Sequence, residues 1–147
     1  MKILINILIT FTAFALMEAI AWLTHKYIMH GILWSLHKDH HYKKRGRLQR
    51  NDLFFLFFAI PSGFFIVYGI AQEIGIFLYS GIGILFYGIT YFIFHEVFIH
   101  RRLNWFNNSS SSYLKAMRKA HLTHHKQGRN KEYSCFGMLV FPIKYYK

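Results

Sequence analysis

Three long runs of apolar residues dominate the chain, and short polar segments separate them. The runs extend from Ile3 to Leu23, from Leu53 to Ile70 and from Ile74 to Phe94. Each run approaches the roughly 20 residues that a helix needs to cross the hydrocarbon core of a membrane. Only residues 71–73 separate the last two runs, which is enough for a helical hairpin turn. The pattern predicts an all-α, integral-membrane helical bundle with about three transmembrane helices.

Glycine recurs in the third run, at positions 75, 81, 83 and 88. Small residues let transmembrane helices approach each other closely, so these positions indicate a helix that packs against its neighbours. Glycine that is merely tolerated in lipid explains the same pattern equally well.

The basic residues are confined to the segments that flank the apolar runs. Of the 18 Lys and Arg residues, all except Lys2 lie at positions 26–50 or 101–147. The formal net charge of +12 therefore follows the positive-inside rule and does not indicate a nucleic-acid partner. We expect a multi-pass protein of the cell membrane, with both basic segments and the C-terminus in the cytoplasm. The alternative interpretation of the first run is a cleaved signal peptide.

Length and cysteine content limit the other possibilities. A chain of 147 residues has room for one domain, and we expect residues 1–147 to form a single membrane-embedded domain. Hydrophobic residues make up 54% of the chain and aromatic residues 20%, which favours a lipid environment. Cys135 is the single cysteine, so an intramolecular disulfide and cysteine-based metal motifs are excluded.

All ten histidines fall into four short motifs. The spacing HxxxxH is followed by HxxHH, and this pair of motifs occurs twice in the same order. The members are His25, His30, His37, His40 and His41 in the first half, and His95, His100, His121, His124 and His125 in the second. One isolated histidine is usually a structural side chain, but ten in four regular motifs indicate metal ligands. The predicted topology brings all ten to the cytoplasmic surface, where cytoplasmic helices would carry them.

Helix geometry limits how these motifs bind metal. The HxxHH spacing places its histidines at positions i, i+3 and i+4, so all three lean toward one metal-bearing face. The HxxxxH spacing separates its two histidines by about 140° on an ideal α-helix. Such a pair suits ligands to two different metal ions, or a helix that loosens at its end, and the spacing does not decide between them.

The number of imidazoles indicates more than one metal ion. Two ions with about four or five nitrogen ligands each would use the ten histidines and leave positions open for oxygen. Di-iron sites of the carboxylate type need several Glu ligands, yet the chain has six acidic residues in total. We therefore expect a nitrogen-ligated di-metal site. Imidazole alone is compatible with iron, copper, zinc and nickel.

Three acidic residues are candidates for orienting the imidazoles. Glu18 lies within the first run, seven residues before His25 and on nearly the same side of a helix. Asp39 and Glu96 lie inside the motifs and are expected to act in the same way. An interior polar contact without a role at the metal is the alternative for Glu18. Asp52, just before the second run, is expected to be a helix N-cap.

Three segments resemble the bacterial beta-carotene hydroxylases, which are members of the sterol desaturase and fatty acid hydroxylase superfamily. Glu18 to His41 resembles the first half of these proteins, and Tyr91 to Arg101 and Lys119 to His125 are similar to the second half. The likeness covers nearly the whole chain, and no histidine of the pattern is missing.

The resemblance implies a non-heme di-iron monooxygenase that uses O2 to hydroxylate the beta-ionone ring of carotenoids at C3. Beta-carotene would become beta-cryptoxanthin and then zeaxanthin. The resemblance also implies that the ten histidines hold two iron ions and that a ferredoxin-type donor supplies electrons. The basic segments are compatible with an acidic donor, although membrane orientation alone also explains them.

Two other functions remain open from the sequence. The first is another oxygenase activity of the superfamily, such as a carotenoid ketolase or a hydroxylase or desaturase of sterols or fatty acyl chains. The second is a non-enzymatic membrane protein that binds metal, although a metal buffer would not need regularly spaced histidines. The short apolar segment Phe136 to Phe141 is predicted to be interfacial or re-entrant.

Overall fold

In the computed structural model, residues 1–42, 48–103, 105, 109–126 and 135–146 are described, and every regular element within these ranges is helical. The α-helices are α1 (Lys2–Leu23), α2 (Trp34–His41), α3 (Leu56–Ala71), α4 (Gly75–Tyr91) and α5 (Ser112–His125). Two π-helical segments, Thr24–Ile32 and Phe92–Ile99, continue α1 and α4, and 3-10 segments occupy Arg50–Phe55 and Ile143–Tyr146. Part of the predicted basic segment, residues 43–47, lies outside the described residues.

Three continuous helical stretches are long and apolar enough to cross a membrane. They are Lys2–Ile32, Arg50–Ala71 and Gly75–Ile99. Many of their apolar side chains face outward, and Ile3 and Phe11 of α1 are 76% and 67% exposed. Such exposure suits contact with lipid, because hydrocarbon is as apolar as these side chains. The all-helical fold with three membrane-length helices is confirmed.

A tight turn joins α3 and α4, as the hairpin prediction requires. The backbone N–H of Gln72 donates to the carbonyl of Tyr68, and that of Ile74 donates to the carbonyl of Gly69. Glu73 adopts a left-handed backbone conformation with φ 55°. A left-handed residue just beyond a helix lets the chain reverse while the last carbonyls stay hydrogen-bonded.

The prediction for Asp52 is wrong in its detail. Helix α3 begins at Leu56 and follows the 3-10 segment Arg50–Phe55, so Asp52 lies inside that segment and does not cap the α-helix. Its carboxylate instead accepts the backbone N–H of Gln49 at 3.0 Å. The carboxylate thus stabilises the first turn of the 3-10 segment.

The contacts divide the chain into two compact units, and the first consists of Met1–Glu18 and Leu53–Thr90. Its helices approach each other closely at glycine, because a methyl group on Gly81 would lie 2.8 Å from the backbone nitrogen of Ile66. The interpretation as packing positions is therefore supported for Gly81 and Gly83, whereas a methyl group on Gly75 would meet only Tyr79 of its own helix, at 3.8 Å. Tyr87 is fully buried in this unit, and its hydroxyl donates to Glu18 at 2.6 Å.

The second unit consists of Ala19–Asp52 and Tyr91–Lys147. A small apolar core forms around Phe98, Ile99 and Met117. Leu139 and Phe141 pack against this core, and the hydroxyl of Tyr113 donates to the carbonyl of Leu139 at 2.7 Å. The described residues after Cys135 are thus anchored to the helices of this unit by both apolar contacts and hydrogen bonds.

Candidate metal centre

The π-helical segments determine how the HxxxxH motifs are presented. In a π-helix the backbone hydrogen bonds join residues five positions apart, so such residues lie about one turn from each other. The N–H of His100 donates to the carbonyl of His95 at 3.0 Å, and the N–H of Leu33 donates to that of Ile28 at 2.9 Å. The looser helix brings the two histidines of each motif together. Of the two possibilities that the spacing left open, the structure shows the second.

The histidines gather into two clusters, both within the second unit. The first cluster contains His25, His30, His37, His41 and His124. Their Nε2 atoms converge, and four pairs of these atoms are 3.0–3.1 Å apart: His25 with His37, His25 with His124, His30 with His124, and His37 with His41.

The second cluster contains His40, His95, His100 and His121. The Nε2 atoms of His40 and His95 are 3.2 Å apart, and those of His100 and His121 are 3.0 Å apart. His125 adjoins this cluster, because its Nε2 lies 2.8 Å from that of His121. Each cluster is therefore built from imidazole nitrogens that point toward a common centre.

The HxxHH motifs are shared between the clusters. His37 and His41 join the first cluster, whereas His40 joins the second. The reverse holds in α5, where His121 belongs to the second cluster and His124 to the first. The middle histidine of each HxxHH motif thus belongs to the cluster whose other members come mainly from the other half of the sequence. The motifs do present one histidine face, as predicted, but that face contributes to two centres.

The nitrogen spacing fits one metal ion in each cluster. Nitrogens about 2.1 Å from an ion are about 3.0 Å apart when they subtend 90°, and about 3.4 Å apart in a tetrahedron. The closest pairs, at 2.8–3.2 Å, match the smaller value, and all ligand atoms of each cluster lie within 4.8 Å of one another. The first cluster also offers five imidazoles, one more than a tetrahedral ion takes. Nitrogens that converge in this way suit a bound cation, which would offset the repulsion between their lone pairs.

Hydrogen bonds at Nδ1 orient several imidazoles. Nδ1 of His25 donates to the carbonyl of Phe136 (2.9 Å), and Nδ1 of His37 donates to Oδ1 of Asn51 (2.6 Å). Nδ1 of His40 donates to Oε1 of Gln49 (3.3 Å), and Nδ1 of His95 donates to Oε1 of Glu96 (2.7 Å). All four acceptors are oxygen atoms, so Nδ1 carries the proton and the Nε2 lone pair faces the cluster. Partners of this kind fix the tautomer and raise the basicity of a metal-ligating imidazole.

Burial keeps these imidazoles neutral. It lowers the pKa of His37 and of His124 to about 2, that of His100 to about 3 and that of His41 to about 4. Neighbouring histidines lower each pKa further, because like charges would repel one another. At neutral pH the side chains therefore retain the lone pairs that a metal ion requires.

This protonation behaviour predicts that the metal-free protein loses stability in acid. The pKa of His41 is near 6.5 in an unfolded chain and about 4 in the folded one. Between these values the unfolded chain binds more protons, so the contribution of His41 to stability is complete above about pH 6.5 and declines toward about pH 4. Thermal unfolding of metal-free protein in detergent at several pH values checks this. A melting temperature that stays constant over that interval contradicts the prediction.

The three acidic candidates have different partners. Glu96 contacts Nδ1 of His95, as expected. Asp39 is buried, but its Oδ2 accepts the backbone N–H of Arg50 at 2.8 Å, and its Oδ1 has no hydrogen-bond partner within the described part of the chain. Asp39 thus departs from the expected imidazole contact. Glu18 accepts the hydroxyl of Tyr87, and its expected role toward an imidazole stays a prediction.

Several partners of the imidazoles were missed from the sequence. Gln49 and Asn51, which contact imidazoles directly, lie just before the second apolar run. Arg102, which contacts Glu96, follows the third motif by two residues. Polar residues at a membrane boundary beside histidine motifs are the signal that would have found them. The carbonyl of Phe136 has no such signal, because every residue carries a carbonyl group.

The sequence of the chain is similar to those of known proteins. The model of the family described as "Fatty acid hydroxylase" matches residues 10–142. A beta-carotene hydroxylase of Pantoea ananas is 36% identical over 137 residues, which cover 93% of this chain and 78% of the relative. One from Pseudescherichia vulneris is 37% identical over 122 residues, covering 83% and 69%, and one from Paracoccus sp. (strain N81106 / MBIC 01143) is 32% identical over 139 residues, covering 93% and 85%.

No solved structure gives a significant match to the chain. The family match covers most of the sequence and includes all four histidine motifs. The chain therefore belongs to the fatty acid hydroxylase family.

Proposed function

We propose that the protein is a membrane-embedded, non-heme di-iron monooxygenase that hydroxylates the beta-ionone ring of carotenoids at C3. Beta-carotene is converted to beta-cryptoxanthin and then to zeaxanthin. The observation that carries the proposal is the pair of converging histidine clusters in a chain whose relatives are named beta-carotene hydroxylases. We further propose that residues 1–147 act as a single domain.

The ten histidines are proposed to hold two iron ions, one in each cluster. Iron supplies the activation of O2 that side chains cannot provide. The chain itself aims Nε2 at the metal positions, and its Nδ1 contacts hold the rings in place. The five imidazoles of the first cluster support iron over zinc, because structural zinc sites are almost always four-coordinate.

The apolar helices suit a carotenoid substrate, which is wholly hydrocarbon and dissolves in the bilayer. Such a ligand needs aromatic and aliphatic walls and no charged anchor. The three membrane-length helices provide surfaces of this kind. We propose that the protein lies in the cell membrane with its histidine motifs and C-terminus in the cytoplasm.

A ferredoxin-type donor is proposed to supply the electrons. The second unit carries exposed basic side chains that would attract an acidic redox protein: Lys38, Arg50, Arg101, Lys115, Lys119 and Lys126. Charge complementarity of this kind mainly raises the rate of encounter and weakens with salt.

Pigment analysis of cells that accumulate beta-carotene tests the proposed reaction. Expression of the protein is expected to yield beta-cryptoxanthin and zeaxanthin, which chromatography separates from the parent carotene. A ketone product instead indicates a ketolase. Unchanged pigment, together with protein that retains metal, indicates a non-enzymatic metal-binding protein.

A further inference from the structure

A short polar segment, residues 49–52, contacts side chains from both histidine clusters. Gln49 accepts from Nδ1 of His40, and Asn51 accepts from Nδ1 of His37. Its residues 50–52 begin the second membrane-length stretch, within the 3-10 segment that precedes α3, and Gln49 lies immediately before them. It is therefore positioned to fix the rings of two ligands that α2 contributes to different clusters.

Asp52, the last residue of this segment, forms an ion pair with Arg102. Nη1 of Arg102 donates to Oδ1 of Asp52 at 2.6 Å, and Nη2 donates to Oδ2 at 2.9 Å. Nη1 also donates to Oε2 of Glu96 at 2.7 Å. The other oxygen of Glu96 accepts from Nδ1 of His95. A continuous series of charged hydrogen bonds thus leads from Asp52 to a histidine of the second cluster.

The backbone directs Arg102 toward Glu96. After the π-helical segment, Arg101 adopts a left-handed conformation with φ 54°, and the N–H of Arg102 donates to the carbonyl of Glu96 at 3.0 Å. This reversal is a helix C-terminal motif in which the residue after the left-handed one bonds back into the last turn. The side chain of Arg102 consequently lies beside the carboxylate of Glu96, to which it donates.

Glu96 is the most buried of these three charged side chains. The side chain of Glu96 is only 1% exposed, whereas those of Arg102 and Asp52 are both 22% exposed. A buried carboxylate needs a charged partner, and an arginine fork holds two carboxylates in a fixed geometry. The hydrogen bond to Asp52 raises the pKa of Arg102, and Glu96 raises it further. The guanidinium therefore stays charged.

We propose that Asp52 is a positioning residue of the metal centre, which acts through Arg102 and Glu96 on His95 and so strengthens metal binding at the second cluster. The inference rests on the proposed binding of one iron ion in each cluster. Without Asp52, the guanidinium loses its two-point anchor and holds Glu96 less firmly. The carboxylate then orients His95 less well and adds less to the basicity of its Nε2.

The test is the rate at which iron leaves the purified protein. Wild-type protein loaded with Fe²⁺ in detergent is mixed with excess of a chelator that becomes coloured when it binds ferrous iron, and release is followed by absorbance. The Asp52→Asn variant keeps the size of the side chain and an oxygen for the N–H of Gln49. Release of one of the two ions is expected to become about tenfold faster, while release of the other is unchanged.

Two further variants identify the affected ion. Glu96→Gln removes the carboxylate at His95 and is expected to speed the same phase as Asp52→Asn. Asn51→Leu, a neighbouring change in the same segment, is expected to speed the other phase, because Asn51 bonds His37 of the first cluster. If Asp52→Asn does not fold, Arg102→Lys replaces it in the test. Lysine keeps the positive charge but cannot form the two-point contact of the guanidinium, so this variant is expected to have the same effect.

A double variant separates this role from general destabilisation. If Asp52 acts through Glu96, adding Asp52→Asn to Glu96→Gln leaves the release rate unchanged from that of Glu96→Gln alone. The inference is overturned by any of three results: unaltered release in Asp52→Asn, equal acceleration of both ions, or additive effects in the double variant. In each of these cases, wild-type protein that binds two ions still upholds the proposed centre. Wild-type protein that binds no iron overturns the proposed function and this inference with it.

Discussion

Replacement of His40 by alanine is expected to remove the proposed iron ion of the second cluster and to abolish the proposed hydroxylation of carotenoids. Its Nε2 lies 3.2 Å from that of His95, and His40 belongs to the cluster with His95, His100 and His121. Loss of an orienting partner of a ligand typically costs 10–100-fold in metal affinity or activity, so loss of a ligand should lower product formation by more than about 100-fold. Iron content should fall from two ions toward one.

Two variants of the same helix serve as controls. Lys38→Ala changes an exposed side chain next to His37, so both iron ions and the product should be retained. His37→Ala should also remove one ion, but from the first cluster. Mössbauer spectra of the iron that remains should therefore differ between His37→Ala and His40→Ala. Identical spectra, or full turnover by His40→Ala, would contradict the assignment of these ligands.

The second large effect is expected at Gly83, in the first unit. A methyl group there would overlap the backbone carbonyl of Thr10 and lie 2.8 Å from Cβ of Ala13, so α1 and α4 would have to separate. Overpacking of this kind typically costs about 1–3 kcal/mol, and contact with backbone places Gly83→Ala at the upper end of that range. The free energy of unfolding in detergent, measured by denaturant titration, checks the expected loss.

Gly63 provides a matched control for this substitution. It lies within α3, and an added methyl group would meet nothing within 4 Å. Gly63→Ala is expected to leave stability unchanged or to raise it by up to about 1 kcal/mol, because alanine restricts the unfolded chain. Equal losses in Gly63→Ala and Gly83→Ala would show that the close approach of α1 and α4 is not the cause.

The sequence was sufficient to predict the three membrane-length helices, because hydropathy and length determine them directly. It placed their ends less well. The predicted first and third runs stopped at Leu23 and Phe94, whereas the helical stretches continue to Ile32 and Ile99. These extensions are π-helical and carry polar histidines, so hydropathy does not detect them. The ends depend on hydrogen bonds and on the clusters that the histidines join.

The gathering of the histidines was also predictable, since their regular spacing sets them apart from scattered side chains. Their role as metal ligands stays a prediction. The division of the set between the clusters was not predictable. Spacing fixes how side chains are arranged around one helix, whereas the exchange of His40 and His124 depends on how the helices pack against each other. The same limit applies to Arg102, which reaches Glu96 only because Arg101 adopts a left-handed conformation. Asp39 had the right location in sequence but bonds a backbone N–H of Arg50.

Each cluster combines histidines from both halves of the sequence, so the centre can assemble only late in synthesis. His25 and His124 are 99 residues apart in sequence, yet their Nε2 atoms are 3.1 Å apart in the first cluster. A ribosome must therefore complete α5 before either cluster has its full set of ligands. In the proposed centre each ion would join an early part of the chain to a late one, and the free energy of metal binding would add to that of folding. If the two clusters bind metal as proposed, metal supply during synthesis limits folding as well as catalysis.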